Sequence, residues 1–337
     1  MKIELYRTDG VGGLTRLEEE AGALGATSVR VDITATALNF RDLPFIRGNK
    51  NRKPAQQKIP LSDGFGLVSA IGSDVTKVKV GDRVSPTILP HWIDGPLDAS
   101  RFRGSLGSNG QDGVLARSIL VDQDALVKIP DYLSNIEAAT LPTAALTAWH
   151  ALGETGAVEP GDTIVIETTG GVATFALQIA VALGLKVIVT SRSDMKLARV
   201  RELGAWQTIN SEKYPAWDKE VHALTDGQGA KLIVDMGLRG GLARSCRAAA
   251  YEGTVAIVGV LDGWETNFDI APVMNKNLRV RGIETGSRAM FARMIEFFTQ
   301  NNLHPIIASV FKFGEVDQAL EALAAGPLGK IVLDISS

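Results

Sequence analysis

Residues 163–192, TIVIETTGGVATFALQIAVALGLKVIVTSR, constrain the fold more than any other stretch of the chain. A β-branched run, Thr163–Glu167, meets a glycine pair, Gly170 and Gly171, and an almost wholly apolar helix follows from Val172 to about Leu183. Gly184 ends that helix, and a second apolar run, Lys186–Thr190, leads into a polar turn. Continuous apolar strands are what a parallel sheet covered on both faces requires, so the stretch predicts a right-handed βαβ unit. Unbonded N–H groups and the positive dipole end at the helix start suit an anion, above all a pyrophosphate. The turn reads T-x-G-G-x-A, with Thr168 and Ala173 where a dinucleotide fingerprint carries its first and third glycines. Gly170 permits close approach of a diphosphate, and Gly171 and Val172 open the helix beside it. Thr168 stands where glycine would supply a positive φ, which a β-branched residue resists.

At 337 residues the chain exceeds one ordinary core, so two domains are expected. A formal net charge of −3 without a basic stretch argues against nucleic acid as a partner. The start MKIELYRTDG lacks an apolar core flanked by basic residues, and no run reaches membrane-spanning length, so neither export nor insertion is expected. Cys246 is the single cysteine, which excludes an intrachain disulfide and a multi-cysteine zinc site; its helical setting suits a packed small residue. His91, His150, His222 and His304 show no metal-ligand spacing. A reduced, cytoplasmic setting without structural metal is the expectation.

Residues 1–122 read as short strands between glycine, proline and Asx turns: VRVDIT at 29–34, GLVSAI at 66–71, VKVGDRV at 78–84 and GVLARSILV at 113–121. That pattern predicts an antiparallel, partly open barrel. The polar, glycine-rich stretch at 87–112 is long enough to suggest a functional or mobile connection. Ser134-Asn135-Ile136-Glu137 is a capping box opening a helix, which Pro142 is expected to break before a second helix at 143–152. After the βαβ unit, helices at 194–203 and 238–250 alternate with strands at 207–210, 231–235, 254–260 and 278–283, completing a six-stranded doubly wound sheet. The tail from about Thr285 then adds a helix, VFKF, another helix and KIVLDI, and is expected to return to the first domain.

Several pieces in this order, LNFRD at 38–42, DGFGLV at 63–68, VGDRV at 80–84, ATLPTAALTAW at 139–149, TGGVATFALQIA, VIVTSRSDMKL, IVGV at 257–260 and GKIVL at 329–333, resemble the medium-chain dehydrogenase/reductase superfamily over essentially the full length. The resemblance implies an α/β protein: a doubly wound, six-stranded parallel Rossmann domain at 146–285, and a β-rich, GroES-like partly open barrel built from 1–145 and 286–337. It places Asn39, Ser62 and Thr143 at the positions that hold catalytic zinc in alcohol dehydrogenases, with Asp63 where a glutamate follows the histidine ligand. Three neutral oxygen groups do not hold Zn²⁺ tightly, so a zinc-independent branch is expected, similar to quinone oxidoreductases and enoyl reductases.

Without a metal, the groups available to steady charge on a substrate oxygen are the Asn39 amide, the Arg41 guanidinium and the Ser62 and Thr143 hydroxyls. Asp42 would orient Arg41 or cap the following helix. By resemblance Thr147 packs on the nicotinamide, while Val258, Val260 and Thr285 lie near its carboxamide. At the end of the second strand, Ser191, Arg192 and Lys196 replace the acidic residue that binds an NAD ribose, which favours the 2′-phosphate of NADPH. Phe45, His91 and Trp92, with Trp264 and Phe291, are candidate lining for an apolar substrate cleft, although a core or rim role suits each as well. The expected activity is hydride transfer from NADPH to a small α,β-unsaturated carbonyl, quinone or related carbonyl compound. An aldehyde reductase or alcohol dehydrogenase, and a non-catalytic nucleotide-binding or structural protein, are the alternatives. The resemblance also implies a homodimer through the edge strand at 278–283.

Overall fold

The computed structural model describes all residues except Asn109, Gly156, Ala157 and Ser337. The chain divides into two compact units, Met1–Leu146 with Gly286–Ser337, and Thr147–Thr285.

The first unit opens with an antiparallel hairpin of β1 (Lys2–Thr8) and β2 (Leu14–Glu20), whose turn is held by the Asp9 carboxylate accepting the Val11 and Gly13 N–H groups. β3 (Ser28–Ala37) is the axis of the unit. Its alternation sends Val29, Val31 and Ile33 into the core. After α1 (Asp42–Ile46) come β4 (Asp63–Ile71), β5 (Arg83–Pro86), β6 (Ser118–Asp122), β7 (Leu126–Lys128) and α2 (Asn135–Ala138). β3 pairs antiparallel with β4 and with β6, and β4 continues through β5 to β7.

Two expected strands are shorter than their apolar patterns. In VKVGDRV only Arg83 onward is extended, because the Gly-Asp turn legible in its sequence forms at Gly81, with a φ of +90°. In GVLARSILV the ladder starts at Ser118, while Val114 and Leu115 instead donate their N–H groups to the carbonyls of Leu61 and Pro60.

The capping box at Ser134 and Glu137 forms as expected. Pro142 does not break the helical path. Leu141–Ala145 is one wide π turn, fully buried, that runs directly into α3 (Leu146–Leu152). Proline sits there in the first positions of the turn, where its missing N–H is not needed.

The second unit carries β8 (Thr163–Glu167), α4 (Gly171–Ala182), β9 (Lys186–Ser191), α5 (Asp194–Glu202), β10 (Gln207–Asn210), α6 (Trp217–Leu224), β11 (Ala230–Asp235), α7 (Gly241–Ala248), β12 (Ala249–Ile257), α8 (Ala271–Asn275) and β13 (Arg279–Gly282). All five neighbouring strand pairs are parallel, in the order β10-β9-β8-β11-β12-β13. This is a doubly wound Rossmann-type sheet whose order reverses between β8 and β11, the place where such sheets bind ligands beyond their strand ends. α7 starts three residues later than its pattern suggests, because Gly240 precedes it in the left-handed region at φ +65°.

The chain then adds α9 (Arg288–Gln300), β14 (Ile307–Lys312), α10 (Val316–Ala324) and β15 (Lys330–Asp334) to the first unit. β15 lies between β14 and β3, so the tail does return to the first sheet. Among the described residues, no helix is long and apolar enough to cross a membrane.

Candidate active site

In the first unit, β-sheet register gathers one buried polar cluster. Ala37 faces Asp63 on β4 and Val332 on β15. Two residues past that point, Asn39 lies opposite Lys330, and the Leu38 N–H donates to the Ile331 carbonyl between them at 3.0 Å. The π turn delivers Thr143 to the same place. The Lys330 ammonium donates to Asn39 Oδ1 at 2.6 Å and to Asp63 Oδ2 at 3.2 Å. The Thr143 hydroxyl donates to Asp63 Oδ1, and Ser62 Oγ lies 3.1 Å from Thr143 Oγ1. All five side chains are buried.

Asn39 is fixed at its backbone as well, its N–H donating to the Asp42 carboxylate at 2.7 Å. Complete burial pushes Asp42 up to about 6, against the opposing pull of Arg41. Asp42 thus ties the start of α1 back to the Asn39 backbone without capping the helix, while Arg41 donates to Ser105 Oγ at 2.7 Å. One polar atom of the cluster, Asn39 Nδ2, is buried without a hydrogen-bond partner. A buried amide left unpaired costs on the order of 1–3 kcal/mol, so a group kept in that state is suited to meet a ligand.

Asn39, Ser62 and Thr143 therefore do come together, and Lys330 joins them unforeseen. Its signal in the sequence is a lysine at the head of the apolar run IVL. Arg41 is directed to Ser105 rather than into this cluster. Phe45 is a correction: it sits 2% exposed in the core of the first unit with the Arg52 guanidinium over its ring, which gives it a packing role. Trp92 is buried with Ile88 and Leu89 and donates its indole N–H to the Gly95 carbonyl, His91 is exposed, Phe291 is fully buried and Trp264 is exposed.

Zn²⁺ does not suit this donor set. The cluster offers no thiolate or imidazole, the Asn39 carbonyl oxygen already accepts from Lys330, and a buried ammonium repels a divalent cation. Among the described residues no group of three or more His, Cys, Asp or Glu side chains is placed to hold a metal.

In the second unit, the expected cofactor residues follow the carboxyl ends of parallel strands: Thr168, Gly170, Gly171 and Val172 after β8, Ser191 and Arg192 at β9, Val258 and Val260 after β12, and Thr285 after β13. Thr147 lies on α3 of the same unit. Thr168 takes a φ of +66°, the left-handed conformation that its branched side chain disfavours. Gly170 is extended and precedes α4 with no side-chain cap, and a Cβ built on it would meet no protein atom within 4 Å. That open space over uncapped helix amides suits the diphosphate of a dinucleotide.

Arg192 is exposed, and Lys196 lies in the first turn of α5, whose N-terminus Ser193 caps. The only carboxylate of that turn, Asp194, accepts from Asn210 Nδ2 and Lys213 Nζ, each at 2.7 Å. Those two partners hold it below the usual carboxylate range.

Beneath the glycine turn, Glu167 at the end of β8 is fully buried and accepts the Met236 N–H at 2.9 Å. Burial first, and then the Asp235 carboxylate, push its carboxyl well above the usual carboxylate range, which disfavours a charge beneath an anion site.

Residues 25–131 match the alcohol dehydrogenase GroES-like domain family, and residues 171–300 the zinc-binding dehydrogenase domain family. A zinc-type alcohol dehydrogenase-like protein of Schizosaccharomyces pombe is 34% identical, covering 99% of this chain and 100% of its own. A quinone oxidoreductase-like protein 2 homolog of Nematostella vectensis is 30% identical over 92% of this chain and 82% of its own. The crystal structure of a putative alcohol dehydrogenase from Sinorhizobium meliloti 1021 is similar at a TM-score of 0.93 and 36% identity, covering 99% of both chains. With a GroES-like unit, a Rossmann-type unit and full-length relatives of this kind, the chain belongs to the medium-chain dehydrogenase/reductase superfamily of oxidoreductases.

Proposed function

We propose that this protein is a zinc-independent, NADPH-dependent reductase of an α,β-unsaturated carbonyl, a quinone or a related carbonyl compound. The observation that carries the reading is Asn39 Nδ2, a buried donor with no partner, at a position where the superfamily's alcohol dehydrogenases bind zinc. A bound dihydronicotinamide supplies a hydride, a proton with two electrons, to an electrophilic carbon. The chain's task is then to hold the substrate and steady the charge that shifts onto its oxygen.

The Asn39 amide donates to that oxygen, and the Ser62 and Thr143 hydroxyls are the nearest further donors. A conjugated acceptor suits this arrangement, because its enolate takes a proton from solvent in a later step. Gly170, Gly171 and Val172 hold the diphosphate through the first amides of α4. Thr147, Val258, Val260 and Thr285 face the nicotinamide. Ser191, Arg192 and Lys196 bind the 2′-phosphate, since β9 ends without a free carboxylate to repel it.

A second reading, an aldehyde reductase or alcohol dehydrogenase, is favoured by the names of the relatives in S. pombe and S. meliloti. Oxidation of NADPH and of NADH against a panel of enones, quinones and aldehydes separates the two. We expect turnover of enones or quinones with NADPH, and turnover confined to aldehydes would favour the second reading. Arg192→Glu should raise the KM for NADPH at least about tenfold with little change for NADH. An equal change for both cofactors would contradict the assignment.

A further inference from the structure

We propose that Lys330 is a positioning residue for this reaction: its ammonium sets which end of the Asn39 amide faces the substrate oxygen. The inference rests on the reading of Asn39 as the donor to that oxygen.

An asparagine side chain presents a donor at one end and an acceptor at the other, and packing alone distinguishes them poorly. An ammonium has donors only. Lys330 Nζ lies 2.6 Å from Asn39 Oδ1, so the other amide orientation would set an NH₂ against an NH₃⁺ and is excluded by charge. The same reversal would turn Oδ1 toward the substrate, acceptor against acceptor. Lys330 thus leaves Nδ2 as the end of the amide available to donate, and Nδ2 is the atom found buried without a partner.

Antiparallel register places the lysine. With Ala37 opposite Val332, the residue two steps beyond β3 lies opposite the first residue of β15. Lys330 is 2% exposed and its second partner is the Asp63 carboxylate at 3.2 Å, so the buried charge is balanced rather than left isolated. Asp63 in turn accepts from Thr143, which ties the lysine to the hydroxyl pair as well. The ammonium also polarises the amide from behind, so that the N–H facing the substrate becomes a stronger donor.

The test uses the full-length protein, NADPH, and 2-cyclohexenone and 1,4-benzoquinone as acceptors. Lys330→Met alone strands the Asp63 carboxylate, so the informative variant is Lys330→Met combined with Asp63→Asn, which removes both buried charges together. We expect NADPH affinity, measured by fluorescence titration, to stay within about threefold, and kcat to fall about tenfold to a hundredfold. Adding Asn39→Ala to that pair should cost nothing further, because the lysine acts through the amide. A paired variant that keeps wild-type kcat, or a triple variant that loses the full separate effect of each change, overturns the proposal.

Asn39→Asp tests the underlying reading by itself. It keeps the acceptor for Lys330 and deletes the donor for substrate, so the thermal midpoint should hold while turnover collapses. Unchanged turnover in Asn39→Asp would remove the reading and the inference together. Collapse there with full activity in the paired variant would remove the inference alone.

Discussion

Thr168 and Glu167 are neighbours that carry opposite kinds of cost. Thr168 holds a left-handed φ of +66°, where a β-branched residue loses about 1–2 kcal/mol relative to the ordinary helical region. Thr168→Gly removes that strain and returns some chain entropy to the unfolded state. The expected net gain is about 1 kcal/mol, a rise of roughly 2–4 °C in Tm. A lower Tm would mean that the threonine side chain holds the turn by contacts outweighing its strain. Glu167 is costly through its charge. Its carboxyl is raised well above the ordinary 4.5, so the folded chain keeps a proton which the unfolded chain releases, and stability falls as pH rises from the ordinary value through the raised one. Glu167→Gln keeps the acceptor for the Met236 N–H and carries no charge. Its Tm should therefore decline less than the wild type's between pH 5 and 9, with an advantage of at least about 1 kcal/mol at pH 9. Parallel pH profiles for the two proteins would contradict the assignment. The sequence already marked Thr168 as standing where a positive φ is wanted, but the burial of Glu167 beside a second carboxylate is not written in residue order. Lys330 was hidden for a related reason: in GKIVL it reads as a solvated strand end, and only the pairing of β15 with β3 puts it against Asn39.

At the scale of elements, periodicity did most where the chain is regular. The βαβ unit, β10 and the six strands of the parallel sheet are all legible as apolar runs and their caps. It did least where backbone groups leave a ladder: in the stretch before β6, and at the π turn around Pro142. Those are places where tertiary packing overrides local preference, and the π turn is also what carries Thr143 to the polar cluster. β13 closes the second sheet as a four-residue edge strand with all four residues exposed. An open strand edge of this kind is a template for pairing, and we propose that a second copy of the chain covers it across a two-fold axis. Val280→Lys would set like charges against each other there, and should raise the dimer dissociation constant at least about tenfold by light scattering. A wild-type protein that is monomeric at micromolar concentration would contradict the proposal directly.

For the whole molecule, two kinds of finding meet at one question. The matched domain family and the S. pombe relative carry zinc in their names, whereas this chain gathers an amide, two hydroxyls and a buried ammonium in one cluster of its first unit, which we propose acts without zinc. Length and order of motifs made the two-unit architecture legible, and residue types at three positions raised the expectation of a zinc-independent branch. Lys330, which meets the Asn39 amide, was not legible, because it comes from the far end of the chain. The most direct measurement is NADPH oxidation by the acceptor panel before and after exhaustive chelation, with zinc content determined on the same samples. The account predicts unchanged turnover in protein that retains no zinc. Activity lost on chelation and restored by stoichiometric Zn²⁺ would contradict it.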